Sequence, residues 1–402
     1  MRKAILMLLV SAALLSCSTK EKKERILKEF DSISQEIKKE FAPDRRAKIY
    51  EPELIIDEQL TSIPILKGST TESQAKEALI SALKEKKIEV LDSMVVLPDP
   101  SLGEKTYGIT AHAVINLRTG PGYASESATQ TLMGMPLRIL EKRGGWARTM
   151  TPEGYIAWVT SGSIQPMNEA EFNDWLDAPK MVVTTHYTLF RELPSHNSAV
   201  VSDGVWGNIV CAQGRLGSFY KIILPNGKIA YVNSSDVEPF DKWLEGRDPS
   251  PENIVATAKQ FAGFPYMWGG TSIKAMDCSG FTKTVFYLNG VIIERDASQQ
   301  AKTGVDVDIS EGFDNLNPGD LIFFGSKATE QRGERITHVG IYISNGEFIH
   351  AATFVKINSL LPDAHNYYNG STRLVRVNRL LTEIDADPKI VSIKTHPWYF
   401  AK

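Results

Sequence analysis

Apolar and polar residues alternate with different periods along the chain, and each period predicts a different kind of segment. The first period is helical: Ile26, Phe30, Ile33 and Ile37 recur among charged residues. This spacing predicts an amphipathic helix or a tether. Next come an extended segment near residues 53–68, a helix near 73–86 and an alternating strand near 88–99. A strand, helix, strand order predicts a small α/β unit.

The middle of the chain contains an internal repeat. Residues 115–167 align with residues 187–240 at an offset of 72 or 73 positions. Three aligned pairs illustrate it: Leu117 with Leu189, Gly134 with Gly207, and Trp158 with Tyr231. Each copy consists of short β segments separated by Gly and Pro turns, which predicts a small barrel.

Two polar residues occur in only one copy of the repeat. Tyr155 aligns with Lys228, and Glu126 aligns with Ala199. The barrel itself therefore requires neither tyrosine nor glutamate at these positions. Cys211 lies in an alternating apolar strand of the second copy, where cysteine usually behaves as a small buried hydrophobe.

The third folded region follows a proline-rich joint, and its sequence suggests chemistry. Asp277 is a suitable N-cap for a helix that begins at Cys278 and ends at Asn289–Gly290. Its predicted buried stripe consists of Phe281, Val285 and Leu288. A thiol at a helix N-terminus is stabilised as thiolate, so we expect its pKa to fall below the reference of about 8.5.

A thiolate nucleophile needs a base and a group that orients the base. His338 and His350 lie on two alternating apolar strands joined by Asn345–Gly346. A two-residue loop would place the two histidines on opposite faces of the sheet. A three-residue loop, Ser344–Gly346, sets His350 opposite Gly340 and diagonal to His338. The requirement that the histidines meet therefore predicts an odd-length loop or a bulge.

Composition and charge are those of an ordinary soluble protein. The 402 residues are 42% hydrophobic and 23% charged, with a formal net charge of −3. This length predicts two to four domains, and the charge gives no reason to expect a nucleic-acid partner. The histidines form no HExxH motif, and His338 with His350 lacks a carboxylate at ligand spacing, so we expect neither metal nor cofactor.

The N-terminus is typical of an export signal. Two basic residues precede an apolar run, residues 4–15, that is too short to span a bilayer comfortably. Leu14-Leu15-Ser16-Cys17 resembles a bacterial lipobox, which implies cleavage after residue 16 and acylation of Cys17; the alternative is an ordinary signal peptide. Only Cys211 and Cys278 then remain, in different predicted domains, so we expect no disulfide and at least one functional thiol.

Several motifs of the third region resemble one family. The segments FPYMWGGTS, MDCSGF, NPGDLIFF, HVGIYI and FIHAA are similar to the signatures of the NlpC/P60 family, papain-like cysteine peptidases that cut bacterial cell-wall peptides. The resemblance covers about residues 252–380. It implies that Cys278 is the nucleophile, His338 the general base and later acid, and His350 the group that orients His338.

The repeat copies resemble bacterial SH3 (SH3b) domains, and the whole arrangement resembles γ-D-glutamyl-L-diamino acid endopeptidases of the dipeptidyl-peptidase VI type. Those enzymes cleave between D-glutamate and the diamino acid of stem peptides, and the first barrel helps recognise the free amine of L-Ala. The resemblance implies a set of substrate-binding residues: Tyr266, Asp277, Ser279, Ser298, Glu126 and Tyr155.

The sequence therefore predicts a multidomain α+β protein. The expected parts are a signal peptide (1–16), a tether helix with a small α/β unit (17–105), two SH3-like β-barrels (106–167 and 180–241), a papain-like catalytic domain (250–385) and a C-terminal tail (386–402). We expect an exported monomer, lipid-anchored and facing the periplasm or cell exterior, that cleaves L-Ala-γ-D-Glu-diamino acid peptides. The alternatives are an N-acetylmuramoyl-L-alanine amidase or acyltransferase on the same fold, and a non-catalytic wall-binding lipoprotein.

Overall fold

The computed structural model describes residues 2–58 and 61–400, with side chains from Lys20 onward. The predicted signal cleavage and the acylation of Cys17 concern side chains outside this described part. The chain forms two compact units that divide after Gly103. Within the described residues, no helix has both the length and the apolar character needed to cross a membrane.

The first unit is a small α/β structure, as the sequence predicted. Its elements are α1 (Arg2–Phe41), β1 (Tyr50–Ile55), β2 (Ile65–Thr70), α2 (Ser73–Glu85), β3 (Leu91–Asp92) and β4 (Val95–Val96). β1 is antiparallel to β2, whereas β3 and β4 are parallel to it. The strand expected over 88–99 is split in two because the Asp92 carboxylate accepts the Met94 N–H and Met94 turns into the core.

Two seven-stranded sheets follow in the second unit. The first contains β5 (Tyr107–Thr110), β6 (Val114–Arg118), β7 (Ser127–Leu132), β8 (Pro136–Arg143), β9 (Trp146–Met150), β10 (Ile156–Thr160) and β11 (Ile164–Met167), followed by α3 (Glu169–Asp177). The second contains β12 (Lys180–Val183), β13 (Tyr187–Arg191), β14 (Val200–Val205), β15 (Ile209–Leu216), β16 (Phe219–Ile223), β17 (Ile229–Asn233) and β18 (Val237–Pro239), followed by α4 (Phe240–Glu245).

The two sheets repeat one topology. Their strand orders, β11-β5-β8-β9-β10-β6-β7 and β18-β12-β15-β16-β17-β13-β14, are equivalent strand by strand. Gly134 and Gly207 occupy the same turn with φ of 82° and 87°, a conformation that favours glycine. The internal repeat is therefore confirmed. In the described residues each sheet has two unpaired end strands, so closure into a barrel stays a prediction.

The remaining helices and strands build an α+β region. They are α5 (Pro251–Lys259), β19 (Thr271–Ser272), β20 (Ala275–Met276), α6 (Cys278–Leu288), β21 (Val291–Ile293), α7 (Ala297–Gln300), β22 (Val305–Val307), β23 (Leu321–Ser326), β24 (Arg335–Ser344), β25 (Glu347–Ala352), β26 (Phe354–Ser359), β27 (Leu374–Arg379) and β28 (Ile390–Ser392). A six-stranded sheet has the order β22-β27-β23-β24-β25-β26, and β28 pairs with β21. α6 packs against β24 and β25.

Helix α6 is buried on all sides, whereas the sequence predicted a buried stripe only. All eleven of its residues are buried. Its second face is covered by the two repeat sheets, because Lys283 pairs with Glu153 at 2.9 Å and the Tyr287 hydroxyl donates to the Gly207 carbonyl at 2.9 Å. The repeat sheets therefore pack directly against the helix that carries Cys278.

Candidate active site

Cys278 is the first residue of α6, and Asp277 is its N-cap, as predicted. The Asp277 Oδ1 atom accepts the Gly280 N–H at 2.7 Å, which satisfies one of the unpaired donors of the first turn. Gly280 is required by close packing, since a Cβ there would lie 1.9 Å from the Gly270 carbonyl oxygen. The close packing of Gly280 against Gly270 thus holds the start of α6 in place.

The ionisation of Cys278 differs from the sequence-based expectation. Burial and, to a lesser extent, the negative charge of Asp277 raise the pKa of its thiol to about 12, although the N–H groups of Val339 and Ser279 oppose the rise. The expected depression of the pKa is wrong because desolvation of the sulfur outweighs the stabilisation from the helix start. Cys278 is therefore a neutral thiol at neutral pH in this site.

His338 and His350 meet directly. The Nε2 atom of His338 lies 2.6 Å from Nδ1 of His350. Burial lowers the pKa of both imidazoles below the usual range, so both are neutral at neutral pH. The backbone N–H of Val339 is hydrogen-bonded to the sulfur of Cys278, which brings the adjacent His338 to the same part of the site.

The hairpin between the two histidines contains the predicted bulge. Asn345 and Gly346 form a two-residue turn with φ of 50° and 79°, so the three-residue loop is not formed. The register shifts between Tyr342 and Ser344, which restores the pairing that brings both histidines to one face. Gly340 leaves room for this arrangement, since a Cβ there would lie 3.1 Å from the His350 Cβ.

A hydrogen-bond chain beyond His350 was not predicted from the sequence. The His350 Nε2 atom lies 2.9 Å from Oδ1 of Asn358, and Nδ2 of Asn358 donates to the Asn366 carbonyl at 2.7 Å. The carbonyl can only accept, so the Asn358 amide is oriented with its oxygen toward His350. Neutral His350 must then carry its proton on Nε2, accept at Nδ1 from His338 Nε2–H, and leave Nδ1 of His338 unprotonated.

Asp277 and Ser279 belong to a buried cluster centred on Arg295. The Arg295 guanidinium donates to Asp277 Oδ2 at 2.6 Å and Oδ1 at 3.1 Å, and to the Ser279 hydroxyl at 2.9 Å. Its Nε donates to Thr129 Oγ1 of the first repeat sheet at 2.9 Å. Arg295 is 1% exposed, so the bidentate pair is fully enclosed. Sequence analysis missed Arg295 because arginine usually marks a surface position.

The other predicted catalytic-domain residues border this cluster. Tyr266 is half-buried, and the pKa of its phenol is raised by burial and by the neighbouring Cys278 and Asp277. Ser298 is half-buried on α7, one turn after Arg295. Tyr266 therefore lies near the sulfur of Cys278, and Ser298 follows Arg295 by three residues along the chain.

The first repeat sheet contributes Glu126 and Tyr155 to the same region. The Glu126 carboxylate accepts the Trp268 indole N–H at 2.7 Å, and Trp268 is 61% exposed. The Tyr155 hydroxyl donates to Asp296 Oδ2 at 3.4 Å. Both residues thus contact segments adjoining Cys278 or Arg295. Ala199, the counterpart of Glu126 in the second copy, and Lys228, the counterpart of Tyr155, are exposed.

Comparison with known proteins identifies the family of this chain. The NlpC/P60 family model matches residues 263–377, and the model of the bacterial dipeptidyl-peptidase Sh3 domain matches residues 117–164. A γ-D-glutamyl-L-lysine dipeptidyl-peptidase of Bacillus cereus is 31% identical over 249 residues, which cover 60% of this chain and 71% of the relative. The chain belongs to the NlpC/P60 family. It is a cysteine peptidase of that family, as its motifs predicted.

Two further relatives support the NlpC/P60 assignment. A γ-D-glutamyl-L-lysine dipeptidyl-peptidase of Bacillus subtilis is 27% identical over 260 residues, covering 62% of this chain and 80% of the relative. The crystal structure of an NlpC/P60 family protein from Bacillus cereus superposes with a TM-score of 0.57 at 24% identity, over 68% of this chain and 99% of that one. This last likeness shows the fold alone, and the match to the Sh3-domain model adds an SH3-like domain at residues 117–164.

Proposed function

We propose that this peptidase hydrolyses the amide bond between the γ-carboxyl group of D-glutamate and an L-diamino acid in cell-wall stem peptides. The names of the Bacillus relatives, which specify a γ-D-glutamyl-L-lysine bond, support this substrate class. The observation that carries the proposal is the contact between Tyr155 and Asp296 at 3.4 Å. In this proposal Tyr155 of the first repeat unit forms a wall of the site, and Asp296 of the catalytic region supplies a carboxylate beside it.

In the proposed mechanism Cys278 is the nucleophile and His338 the general base. As the sulfur attacks the γ-carbonyl carbon, the thiol proton moves to the unprotonated Nδ1 of His338. The N–H of Cys278, at the start of α6, stabilises the oxyanion. His338 then protonates the departing amine of the diamino acid, and afterwards activates the water that hydrolyses the thioester. His350 orients His338 throughout.

We propose that Tyr155 closes one end of the site, which would suit a substrate with a short, free N-terminus. A peptide that begins with L-Ala-γ-D-Glu presents an ammonium group two residues from the scissile bond. We assign recognition of this ammonium to Asp296, Tyr155 and Glu126. The Asp296 side chain is 27% exposed and lies 3.8 Å from Arg295, whereas the Asp277 side chain is 8% exposed and lies 2.6 Å from it. The carboxylate of Asp277 is already bound by Arg295, Gly269 and Gly280, so we give Asp277 and Ser279 the role of fixing the helix start. Tyr266 and Ser298 complete the walls of the site.

We further infer that each repeat sheet is an SH3-like barrel and that the catalytic domain is papain-like. The repeated topology and the Sh3-domain match support the first inference. The lipobox-like sequence supports export and anchoring through acylated Cys17, facing the periplasm or the exterior, and we propose that the enzyme acts as a monomer.

Mass spectrometry of the products from defined stem peptides tests the proposed bond. The purified protein is incubated with L-Ala-γ-D-Glu-diaminopimelate and with muramyl peptides, and Cys278→Ala is the control. We expect the dipeptide L-Ala-D-Glu and the free diamino acid. Release of a lactyl-linked sugar from the peptide would identify an amidase, transfer to an added amine would identify an acyltransferase, and either result overturns the proposal.

A further inference from the structure

The last residues of the described chain form an ordered segment, 393–400, which we call the C-terminal strap. It continues from β28, and its first residue, Ile393, donates its N–H to the Gly290 carbonyl at 2.8 Å. Ile393, His396 and Tyr399 are 0%, 6% and 4% exposed. The Trp398 ring faces the Arg138 guanidinium of the first repeat sheet at 5.1 Å. The strap therefore connects the catalytic region with the first repeat sheet.

His396 makes the most specific contact of the strap. Its Nε2 atom lies 3.0 Å from the Pro152 carbonyl oxygen, and its Nδ1 atom accepts the Trp398 N–H at 3.2 Å. A carbonyl can only accept, so Nε2 carries the proton and both ring nitrogens are satisfied in the neutral imidazole. The strap thus donates a partly buried hydrogen bond to the backbone of the first repeat unit.

The Pro152 carbonyl belongs to the turn between β9 and β10, residues 151–155, which we call the Tyr155 loop. Glu153 of this loop pairs with Lys283 of α6 at 2.9 Å, with 3% and 11% of the two side chains exposed. Pro152, Glu153, Lys283 and Tyr399 line a common cavity. At the end of the loop, Tyr155 donates to Asp296 at 3.4 Å. Three separate contacts therefore hold the loop against the catalytic region.

The second repeat sheet shows what this turn looks like without those contacts. The corresponding turn, residues 224–228, has its glycine in the same conformation, with φ of 81° at Gly227 and 83° at Gly154. Asn226 and Lys228 are exposed, however, whereas the Glu153 and Tyr155 side chains are buried. The turn geometry is thus a property of the repeat, and the burial of the Tyr155 loop comes from the strap and α6.

We infer that the C-terminal strap is a positioning element for substrate specificity. By binding Pro152 through His396, it holds the Tyr155 loop so that Tyr155 closes the end of the site that receives the substrate's free amine. This inference rests on the proposed function. It gives the strap no contact with the reacting atoms, so its loss acts on recognition and leaves the chemistry of Cys278 in place.

Steady-state kinetics on paired substrates test the strap. His396→Leu removes the donor to Pro152, and His396→Gln is the matched variant that keeps an N–H donor of similar reach. For L-Ala-γ-D-Glu-diaminopimelate, His396→Leu should raise KM about tenfold, the value of one lost hydrogen bond, with kcat within about twofold. The preference for this peptide over its N-acetyl form should fall by the same factor. His396→Gln should restore both, and Lys228→Ala, on the equivalent turn, should change neither.

Two outcomes separate failure of this inference from failure of the proposed function. If the unaltered enzyme cleaves the free and N-acetyl peptides equally, the proposed amine recognition is wrong, and the strap inference fails with it. If the enzyme discriminates and His396→Leu retains the full preference, the strap has no positioning role. Thermal unfolding and the rate of Cys278 alkylation show whether a variant is folded. If His396→Leu is unfolded, Glu153→Gln serves as the second variant, with the same expected loss of preference.

Discussion

Asn358 fixes the direction of the hydrogen bond between His350 and His338. Its Oδ1 lies 2.9 Å from His350 Nε2 because its Nδ2 is committed to the Asn366 carbonyl at 2.7 Å. The proton of neutral His350 is therefore on Nε2, and the proton of neutral His338 is on Nε2 as well. The lone pair on Nδ1 of His338 is what remains to accept the thiol proton.

Replacing Asn358 by aspartate should shift the acidic limb of the kcat/KM profile to higher pH. A carboxylate beside His350 raises the imidazole pKa by about 1–3 units, so His350 becomes protonated at higher pH. Protonated His350 donates to His338, which then carries its own proton on Nδ1 and cannot act as a base. We expect the limb in kcat/KM to shift by at least about one pH unit, measured from pH 4 to 9.

The uncharged variant Asn358→Leu separates charge from lost orientation. It should lower kcat about tenfold, the value of one hydrogen bond, without moving the limb. If the profile of Asn358→Asp superimposed on that of the unaltered enzyme, the assignment of protons along this chain would be incorrect.

The raised pKa of Cys278 predicts how alkylation responds to pH. Below a pKa of about 12, the thiolate fraction increases about tenfold for each pH unit. Iodoacetamide labelling of the substrate-free enzyme should therefore accelerate steadily between pH 6 and 9. A preformed thiolate and imidazolium pair would instead give a constant rate across this range, and that result would contradict the neutral thiol described above.

Cys211 is the internal control for that measurement. It is a free, partly buried thiol opposite Lys180, and burial raises its pKa to about 11.

Cys278→Ser should abolish turnover and keep the fold, because the serine hydroxyl is much harder to deprotonate. Cys211→Ala should cost only about 1–2 kcal/mol of unfolding free energy. Inactivation that followed the labelling of Cys211 would reverse these assignments.

Sequence reasoning located the site where local chemistry determines the structure. The Asp277 cap, the helix start at Cys278 and the meeting of His338 with His350 all follow from spacing, capping and sheet alternation. The bulge between Tyr342 and Ser344 was predictable because the two histidines must share a face. The repeat was visible since its glycine turns recur at a fixed offset.

The missed features depend on contacts between distant segments. Asn358 faces His350 across a strand pairing in which His350 lies opposite Lys356, so no local pattern marks it. Arg295 is buried only because Asp277 and Thr129 come from other segments to enclose it. The thiol pKa was mispredicted for the same reason, since the helix start is visible in the sequence whereas complete burial of the sulfur is not.

Loss of Arg295 should destabilise the protein strongly. Arg295→Met leaves the Asp277 carboxylate buried without its cation, which should cost about 3–5 kcal/mol of unfolding free energy. The double variant Arg295→Met/Asp277→Asn removes the orphaned charge and should recover part of this loss. Urea denaturation of the two single variants and the double variant measures the coupling. Strictly additive effects would mean that the ion pair makes no contribution of its own.

The proposed closure of the site by Tyr155 predicts that a blocked N-terminus prevents cleavage. The ammonium of a free L-Ala replaces water around the carboxylates of Asp296 and Glu126, whereas an N-acetyl group brings bulk and no charge. Desolvating these carboxylates without the substrate's ammonium group should reduce kcat/KM at least about a hundredfold for N-acetyl-L-Ala-γ-D-Glu-diaminopimelate.

Two isosteric variants test whether both carboxylates recognise the amine. Asp296→Asn should narrow the preference for the free peptide because it removes the charge beside the Tyr155 hydroxyl. Glu126→Gln also removes a charge but keeps an oxygen that can accept the Trp268 N–H. It therefore preserves the hydrogen bond between residue 126 and Trp268, which is 2.7 Å long in the unaltered protein. Each variant should raise KM for the free peptide and leave the rate of Cys278 alkylation unchanged.

The two rates of cleavage, with free and acetylated peptide, are compared by mass spectrometry at equal concentration. Equal rates in the unaltered enzyme would exclude amine recognition, and the enzyme would then be free to act on stem peptides still attached to the wall.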